Sequence, residues 1–143
     1  MKSTLLISTL LLTLFACNIS SDEDFKAIAK DTCDCINVFT SKLSPEMMEI
    51  IETSDGDETK LEAAMMDYMT KDPVQGMKDV QVLQGGENMQ EMTACMESVE
   101  KKYDNVYTTL SEDEILAKII EQLKTMDDCK STIAILKMGM AAR

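Results

Sequence analysis

Histidine and tryptophan are missing from this chain of 143 residues. Without histidine the commonest general base is absent, no Ser-His or Cys-His pair can form, and the usual nitrogen ligand of zinc is lacking. Carboxylates remain, but the two clearest groups, residues 22–24 and the set Glu46, Glu49 and Glu52, fall on polar faces of predicted helices, where charges are normally solvated. We therefore predict that the protein is not an enzyme and has no catalytic residues, no cofactor and no bound metal.

Proline and aromatic residues are also scarce, with two Pro, three Phe and three Tyr. The alternating β-branched runs that are typical of strands hardly occur, whereas apolar residues recur at helical spacing along most of the chain. The sequence therefore predicts an all-α fold, a compact bundle of about five or six amphipathic helices. With so few aromatic residues, its core must consist mainly of Met, Ile, Leu and Val.

Basic residues are few, since 14 Lys and Arg face 26 Asp and Glu, for a formal net charge of −12. A nucleic-acid partner requires a basic footprint, and so does electrostatic adsorption to anionic lipid. The composition thus predicts no nucleic-acid partner. It favours a soluble, self-repelling surface instead.

No apolar run is long enough to cross a bilayer, which needs about 20 residues. The uncharged run Leu5–Ala16 follows Lys2, and it gives way to the polar residues Asn18 and Ser20. A short positive start followed by an apolar core of this length is typical of a signal peptide. We therefore expect this segment to be removed rather than to persist as a transmembrane helix.

The residues Leu14-Phe15-Ala16-Cys17 resemble the lipobox of bacterial lipoproteins, in which a large aliphatic residue and then a small residue precede an obligatory cysteine. Phe15 departs from the small or β-branched residue that is usual there. The resemblance implies cleavage before Cys17, a diacylglyceryl group on its sulfur and an acyl chain on its new amine. The predicted division of the chain is residues 1–16 as signal peptide, 17–21 as lipidated cysteine and short tether, and 22–143 as the helical domain.

The residues after Cys17 bear on its destination. Many Gram-negative lipoproteins that stay in the inner membrane have Asp at the next position, so Asn18 implies the outer membrane. Residues 21–25 resemble the acidic, Ser-Asp-rich signals that send some lipoproteins to the cell surface, but they equally suit a helix N-terminus capped by Ser21. Cleavage would remove Lys2 alone among the charges, which leaves 13 basic and 26 acidic residues, a balance of −13.

Helical periodicity sets the order of the first segments. One helix is predicted over residues 22–40, a second begins at Ser44 with Pro45 in its first turn and ends at the break 53–57, and a third covers 58–71. The buried stripe predicted for the first helix consists of Phe25, Ile28, Ala29, Thr32, Ile36 and Phe39.

The second half of the chain is less regular. Residues 74–83 give no clear pattern, whereas Gly85-Gly86 is a clear break. The apolar arc from Met89 to Val106 predicts a single long helix. A last helix begins at Ser111, which with Glu114 forms a capping box, and its apolar stripe shifts near residues 126–128, which predicts a kink or break there.

Cys33, Cys35, Cys95 and Cys129 lie in the predicted helical domain. A secretory signal places them in an oxidising compartment, where an even number of cysteines normally pairs, so we predict two disulfides. Cys33 and Cys35 are about 200° apart on a helix and cannot pair with each other. Helix one is therefore expected to be bridged to two different helices, and the two remaining connectivities stay open.

Sulfur is abundant beyond the cysteines, because the chain contains 13 methionines. Methionine is a routine filler of irregular cores and adaptable surfaces, and we expect these residues, Met92 and Met96 among them, to be mostly core. The favoured hypothesis is a lipid-anchored, non-catalytic helical module that binds a protein or other envelope partner through a groove between helices. The alternative is an envelope protein that binds Cu(I) through Cys and Met; free thiols would favour it, and bridged cysteines would favour the first hypothesis.

Overall fold

The computed structural model describes residues 21–141, and none of these residues is in a β-strand. Eight α-helices and one 3-10 turn, Asp127–Cys129, follow one another along this part of the chain. The helices are α1 Asp22–Thr40, α2 Pro45–Ser54, α3 Glu58–Lys71, α4 Pro73–Gln84, α5 Gly86–Lys102, α6 Asp104–Tyr107, α7 Glu112–Leu123 and α8 Lys130–Ala141. The all-α prediction is confirmed, whereas the expected number of five or six helices is wrong.

The extra helices arise in the second half of the chain. Helix α4 forms where no pattern was seen, because its buried positions are Gly76 and Asp79 rather than apolar side chains. The predicted helix through Val106 is interrupted at Tyr103, whose φ of −116° and ψ of 32° end α5. The break expected near residues 126–128 is confirmed, and the 3-10 turn occupies it.

Local hydrogen bonds explain where the helices begin. Ser21 and Ser111 each form a capping box, with Asp24 and Glu114 respectively, so the first and seventh helices begin as predicted. Ser44 caps α2 by accepting a hydrogen bond from the backbone N–H of Met47 at 3.2 Å. These caps satisfy N–H groups that have no partner inside the helix.

The turn between α2 and α3 requires a glycine. Asp55 and Gly56 both have positive φ, at 48° and 86°. A Cβ on Gly56 would collide with the side chain of Lys137 on α8, and glycine is the residue that tolerates both the dihedral angle and the close approach. Lys137 pairs in turn with Asp55, which holds this turn against α8.

Two hydrophobic clusters organise the packing. The first core joins α1 to α5, α6 and α7, and its buried members are Phe25, Ile28, Ala29, Cys33, Cys35, Val99, Val106, Ile115, Ile119, Leu123 and Cys129. The second core joins α2, α3 and α8, and its buried members are Leu43, Met47, Ile51, Tyr68 and Ala134. The apolar stripe predicted for α1 is buried throughout. That helix is therefore the central element of the first core.

Both disulfides lie in the first core. Cys33 pairs with Cys129 and Cys35 with Cys95, each with a Cα–Cα distance of 5.6 Å. One of the two open connectivities is thus selected. Helix α1 is bridged to α5, as expected, and to the 3-10 turn before α8 rather than to a second α-helix. The second core contains no disulfide among residues 21–141, so it is held by packing and polar contacts alone.

Candidate functional site

An apolar cavity of about 200 Å³ lies between the second core and the start of α5. Four methionines line it, Met65, Met89, Met92 and Met138. Five hydrocarbon side chains complete the wall, Phe39, Ile51, Leu61, Leu83 and Ile135. None of these nine side chains carries a charge, an N–H or an O–H. A hydrogen-bonding ligand would therefore find no N–H or O–H partner among these nine side chains.

Helical spacing brings these side chains to one place. Leu61 and Met65 are four residues apart on α3, and Met89 and Met92 are three apart on α5, so each pair shares one face of its helix. Ile135 and Met138 do the same on α8. Three helices thus contribute two neighbouring side chains each, and α1, α2 and α4 contribute one each.

The expectation that the methionines are mostly core holds only in part. Met47 is fully buried, whereas Met92 and Met96 are half-buried. Met66 is 73% exposed, Met77 58% and Met89 42%. A position on the apolar stripe of an amphipathic helix predicts which way a side chain points but not how deeply it is buried. These methionines lie at the edge of the second core or outside it.

A buried carboxylate fastens α4 beside the cavity. Asp79 is 1% exposed and accepts hydrogen bonds from the Ser44 backbone N–H at 2.9 Å and the Ser44 hydroxyl at 2.6 Å. The Tyr68 hydroxyl donates to the same carboxylate at 2.8 Å, and the Gln75 amide is 3.5 Å away. We call Ser44, Tyr68 and Asp79 the buried clip, because they join the α1–α2 corner to α3 and α4.

The charge of the buried clip is stabilised by its donors. Burial acts to raise the pKa of Asp79, but the hydrogen bonds from Ser44, Tyr68 and Gln75 outweigh burial and hold this pKa below its ordinary value. Burial raises the pKa of Tyr68 instead. Asp79 does not line the cavity, and its lone pairs are occupied, so its role is to hold the helices in place rather than to contact a ligand.

Two lysines form ion pairs between helices or turns near the cavity. Lys42, after α1, donates to Glu91 at 2.8 Å and to the side-chain oxygen of Asn88, both on α5. Lys137 on α8 pairs with Asp55. These pairs are largely exposed, so each contributes no more than about 1 kcal/mol.

The predicted site residues have different outcomes. Cys17 lies outside the described residues. The four cysteines of the helical domain are bridged, so none of them can supply the thiolate ligand that the Cu(I) hypothesis requires from cysteine. The acidic positions 22, 23, 46, 49 and 52 are exposed. Between residues 21 and 141 there is no cluster of three or more His, Cys, Asp or Glu side chains that could hold a metal ion.

The buried clip and the cavity were both missed at the level of sequence. Asp79 gave no signal, because an acidic residue at helical spacing is normally solvated. The pairs at positions 61 and 65 and at 89 and 92 did show that methionines share faces with other apolar residues. Which faces meet depends on contacts between α3, α5 and α8 that no local pattern encodes.

No helix within residues 21–141 is both long and apolar enough to cross a membrane. Neither the family models, nor the curated proteins, nor the solved structures that were compared with this chain show a match to it.

Proposed function

We propose that this protein is a lipid-anchored, non-catalytic helical module of the bacterial outer membrane, and that it binds a partner protein by taking one apolar side chain into the cavity. The observation that carries this proposal is the cavity itself, with nine lining side chains that have no polar group. The lipid on Cys17 holds the module at the membrane, and the cavity provides its specificity.

The size of the cavity favours a side chain over a metabolite. Typical small-molecule pockets measure about 300 to 1,000 Å³ and place a few polar groups among apolar ones. This cavity has about 200 Å³, and none of its lining residues within the described part of the chain has a polar side chain. An apolar cavity of about 150 Å³ accepts benzene, which is the ring of a phenylalanine side chain. The cavity therefore fits one large apolar residue.

The surrounding surface supports a protein partner. Five of the large apolar side chains that are exposed lie on α3, α4 and the start of α5, namely Met66, Met69, Val74, Met77 and Met89. Helix α4 packs against both α3 and α5, so these side chains lie on adjoining helices. Exposed apolar patches are typical of interaction surfaces, and methionine adapts its shape to a partner. The second core, which carries this surface, also lacks the disulfides that fix the first.

The anchor places this surface close to the bilayer. Cys17 is separated from the start of α1 at Asp22 by a short tether, and an extended chain spans at most about 3.6 Å per residue. One acyl chain gives only marginal membrane binding, so the three implied by the lipobox resemblance would make attachment durable. The partner is then expected in or beside the same membrane.

Metabolic labelling with an acyl-chain probe tests the anchor. The unsubstituted protein should be labelled and partition with membranes, and Cys17→Ser should abolish the labelling. Equal labelling of the two proteins would contradict lipidation at this site. Protease shaving of intact cells then shows whether the helical domain faces outward.

Benzene tests the cavity. It should raise the Tm of the purified protein, because a ligand that binds only the folded state stabilises it. Leu61→Phe, which fills the cavity, should abolish this rise. Leu110→Phe is the matched control, since Leu110 is a half-buried leucine of the first core. A benzene effect that survives Leu61→Phe would show that the cavity is not the site.

Crosslinking in cells connects the cavity with the partner. A photo-reactive residue at the exposed position Met66 should give a discrete crosslinked product. Leu61→Phe should reduce its yield and Leu110→Phe should not. A product that is insensitive to Leu61→Phe would separate the partner from the cavity and overturn the proposal.

A further inference from the structure

The wall of the cavity is unusually rich in thioether sulfur. Met65, Met89, Met92 and Met138 come from three different helices and meet around one space. From this convergence we propose that the cavity is also a binding site for a soft monovalent cation, Cu(I) or its analogue Ag(I), held by the sulfur atoms of these four residues. The inference does not depend on the lipid anchor or on a protein partner.

The donor set fits this class of ion and no common alternative. Soft thioether and thiolate ligands select Cu(I), whereas zinc and Cu(II) favour imidazole, and calcium and magnesium require oxygen. The chain has no histidine, and among residues 21–141 no oxygen-bearing or nitrogen-bearing side chain lines the cavity. The four cysteines of the helical domain are consumed in disulfides, which leaves methionine as the soft ligand.

The positions of the four methionines allow an ion to enter and be enclosed. Met89 is 42% exposed, so part of its side chain is accessible from solvent, while the other three are half-buried. Met89 and Met92 lie one turn apart on α5, so their sulfur atoms can coordinate an ion from one side. Each methionine has three rotatable bonds, which lets sulfur atoms from α3 and α8 approach from the other sides.

Charge limits the strength of this site. Thioethers are neutral, so a bound cation keeps its positive charge in an apolar cavity, and burying an unpaired charge is costly. The net charge of −12 attracts cations to the protein as a whole, but none of the carboxylates between residues 21 and 141 lines the cavity. We therefore expect reversible binding that excess free methionine can compete away, as suits a site that exchanges its ion.

Nuclear magnetic resonance of methionine methyl groups tests the inference without any change to the cavity. The sample is the full chain with Cys17→Ser, which removes the remaining thiol, purified in detergent with both disulfides intact and titrated with Ag(I). One ion per chain should bind, and the four cavity methyl signals should shift together. Met66 and Met77, which are 73% and 58% exposed, are the internal controls. Shifts at these exposed methionines at the same Ag(I) concentration, or no shift at all, would overturn the proposal.

Leucine substitutions separate metal binding from apolar binding. Combining Met92→Leu with Met138→Leu conserves volume and apolar character but removes two sulfur ligands. We expect Ag(I) affinity to fall by about tenfold or more, since even the loss of an outer partner of a ligand costs that much. The pair Met66→Leu and Met77→Leu should leave it unchanged. Unchanged affinity in the cavity variant would refute the site.

The unsubstituted protein keeps the two proposals distinguishable. Ag(I) binding and the benzene-induced rise in Tm are measured on the same sample. Ag(I) binding at the four methionines without a benzene effect refutes only the apolar-ligand proposal. Absence of Ag(I) binding in the unsubstituted cavity, with a normal benzene effect, refutes only the metal site.

Discussion

Replacing Asp79 by Asn tests the buried clip most directly. The substitution keeps the shape of the side chain but removes its charge and one acceptor oxygen. In the folded protein that oxygen accepts from both the Ser44 and Tyr68 hydroxyls, at 2.6 and 2.8 Å. The other oxygen, which accepts from the Ser44 backbone N–H, is retained. The variant therefore loses charge-assisted hydrogen bonds without leaving a cavity.

The expected loss follows from these contacts. Hydrogen bonds to a charged group contribute about 1.5 to 3 kcal/mol each, and the two hydroxyls can rotate to accept from the new amide, which recovers part of this. We expect Asp79→Asn to lower the free energy of unfolding by about 2 to 4 kcal/mol at pH 7. Tyr68→Phe, which removes one donor and leaves those of Ser44 in place, should cost less, about 1 to 2 kcal/mol.

The loss should also depend on pH. Because the pKa of Asp79 is lower in the folded protein than in the unfolded chain, its contribution is fully present above the unfolded pKa of about 3.9. It then disappears as the pH falls through the folded pKa. Urea unfolding at pH 7 and at successively lower pH below about 4 should therefore show the two proteins converging in stability. A difference under about 0.5 kcal/mol at pH 7, or one that stays constant into acid, would refute the reasoning.

Three further predictions concern the framework. The Thr32 and Thr132 hydroxyls are buried and have no hydrogen-bond partner among residues 21–141, so Thr32→Val and Thr132→Val should each leave stability unchanged or raise it by about 1 to 3 kcal/mol in urea unfolding; a loss would show that these hydroxyls are satisfied. Gly56→Ala should lower the Tm, at a cost of about 1 to 3 kcal/mol from its positive φ, whereas Gly139→Ala, in open space on α8, should raise it slightly; equal effects would contradict the close approach at position 56. Non-reducing peptide mapping should recover the two bridges described above, and a peptide that joins the two cysteines of α1 would contradict the fold.

Local chemistry explains what could be predicted from the sequence. Helix α1 begins and ends as expected, because Ser21 and its apolar stripe are signals contained within one element. Ser44 and Ser111 also predict where helices begin, because an N-cap serine is a local signal. The exclusion of a Cys33–Cys35 bridge also needed only the geometry of a single helix. In each case the information lies within a few turns of one helix.

What could not be predicted depends on contacts between elements. The buried face of helix α4 shows no apolar pattern in the sequence, because it is formed by Gly76 and Asp79. Gly76 packs closely against Met69, and Asp79 accepts hydrogen bonds from Ser44 and Tyr68. The choice between the two disulfide connectivities depends on which neighbouring element packs against each side of the buried face of α1, where Cys33 and Cys35 lie. The cavity required the relative placement of six helices. A methionine stripe looks the same whether it fills a core or lines an open space.

The two nested bridges have a consequence for how the chain withstands proteolysis. Cys33 is joined to Cys129 and Cys35 to Cys95, so the two covalent loops are nested and both close on α1. A single cut of the backbone at any point from residue 34 to residue 128 leaves the two pieces linked by at least one bridge. A protease that nicks the exposed α3–α4 hairpin therefore releases no fragment. The cavity-bearing segment and the C-terminal helix remain tied to α1, and through it to whatever holds the N-terminus of the module.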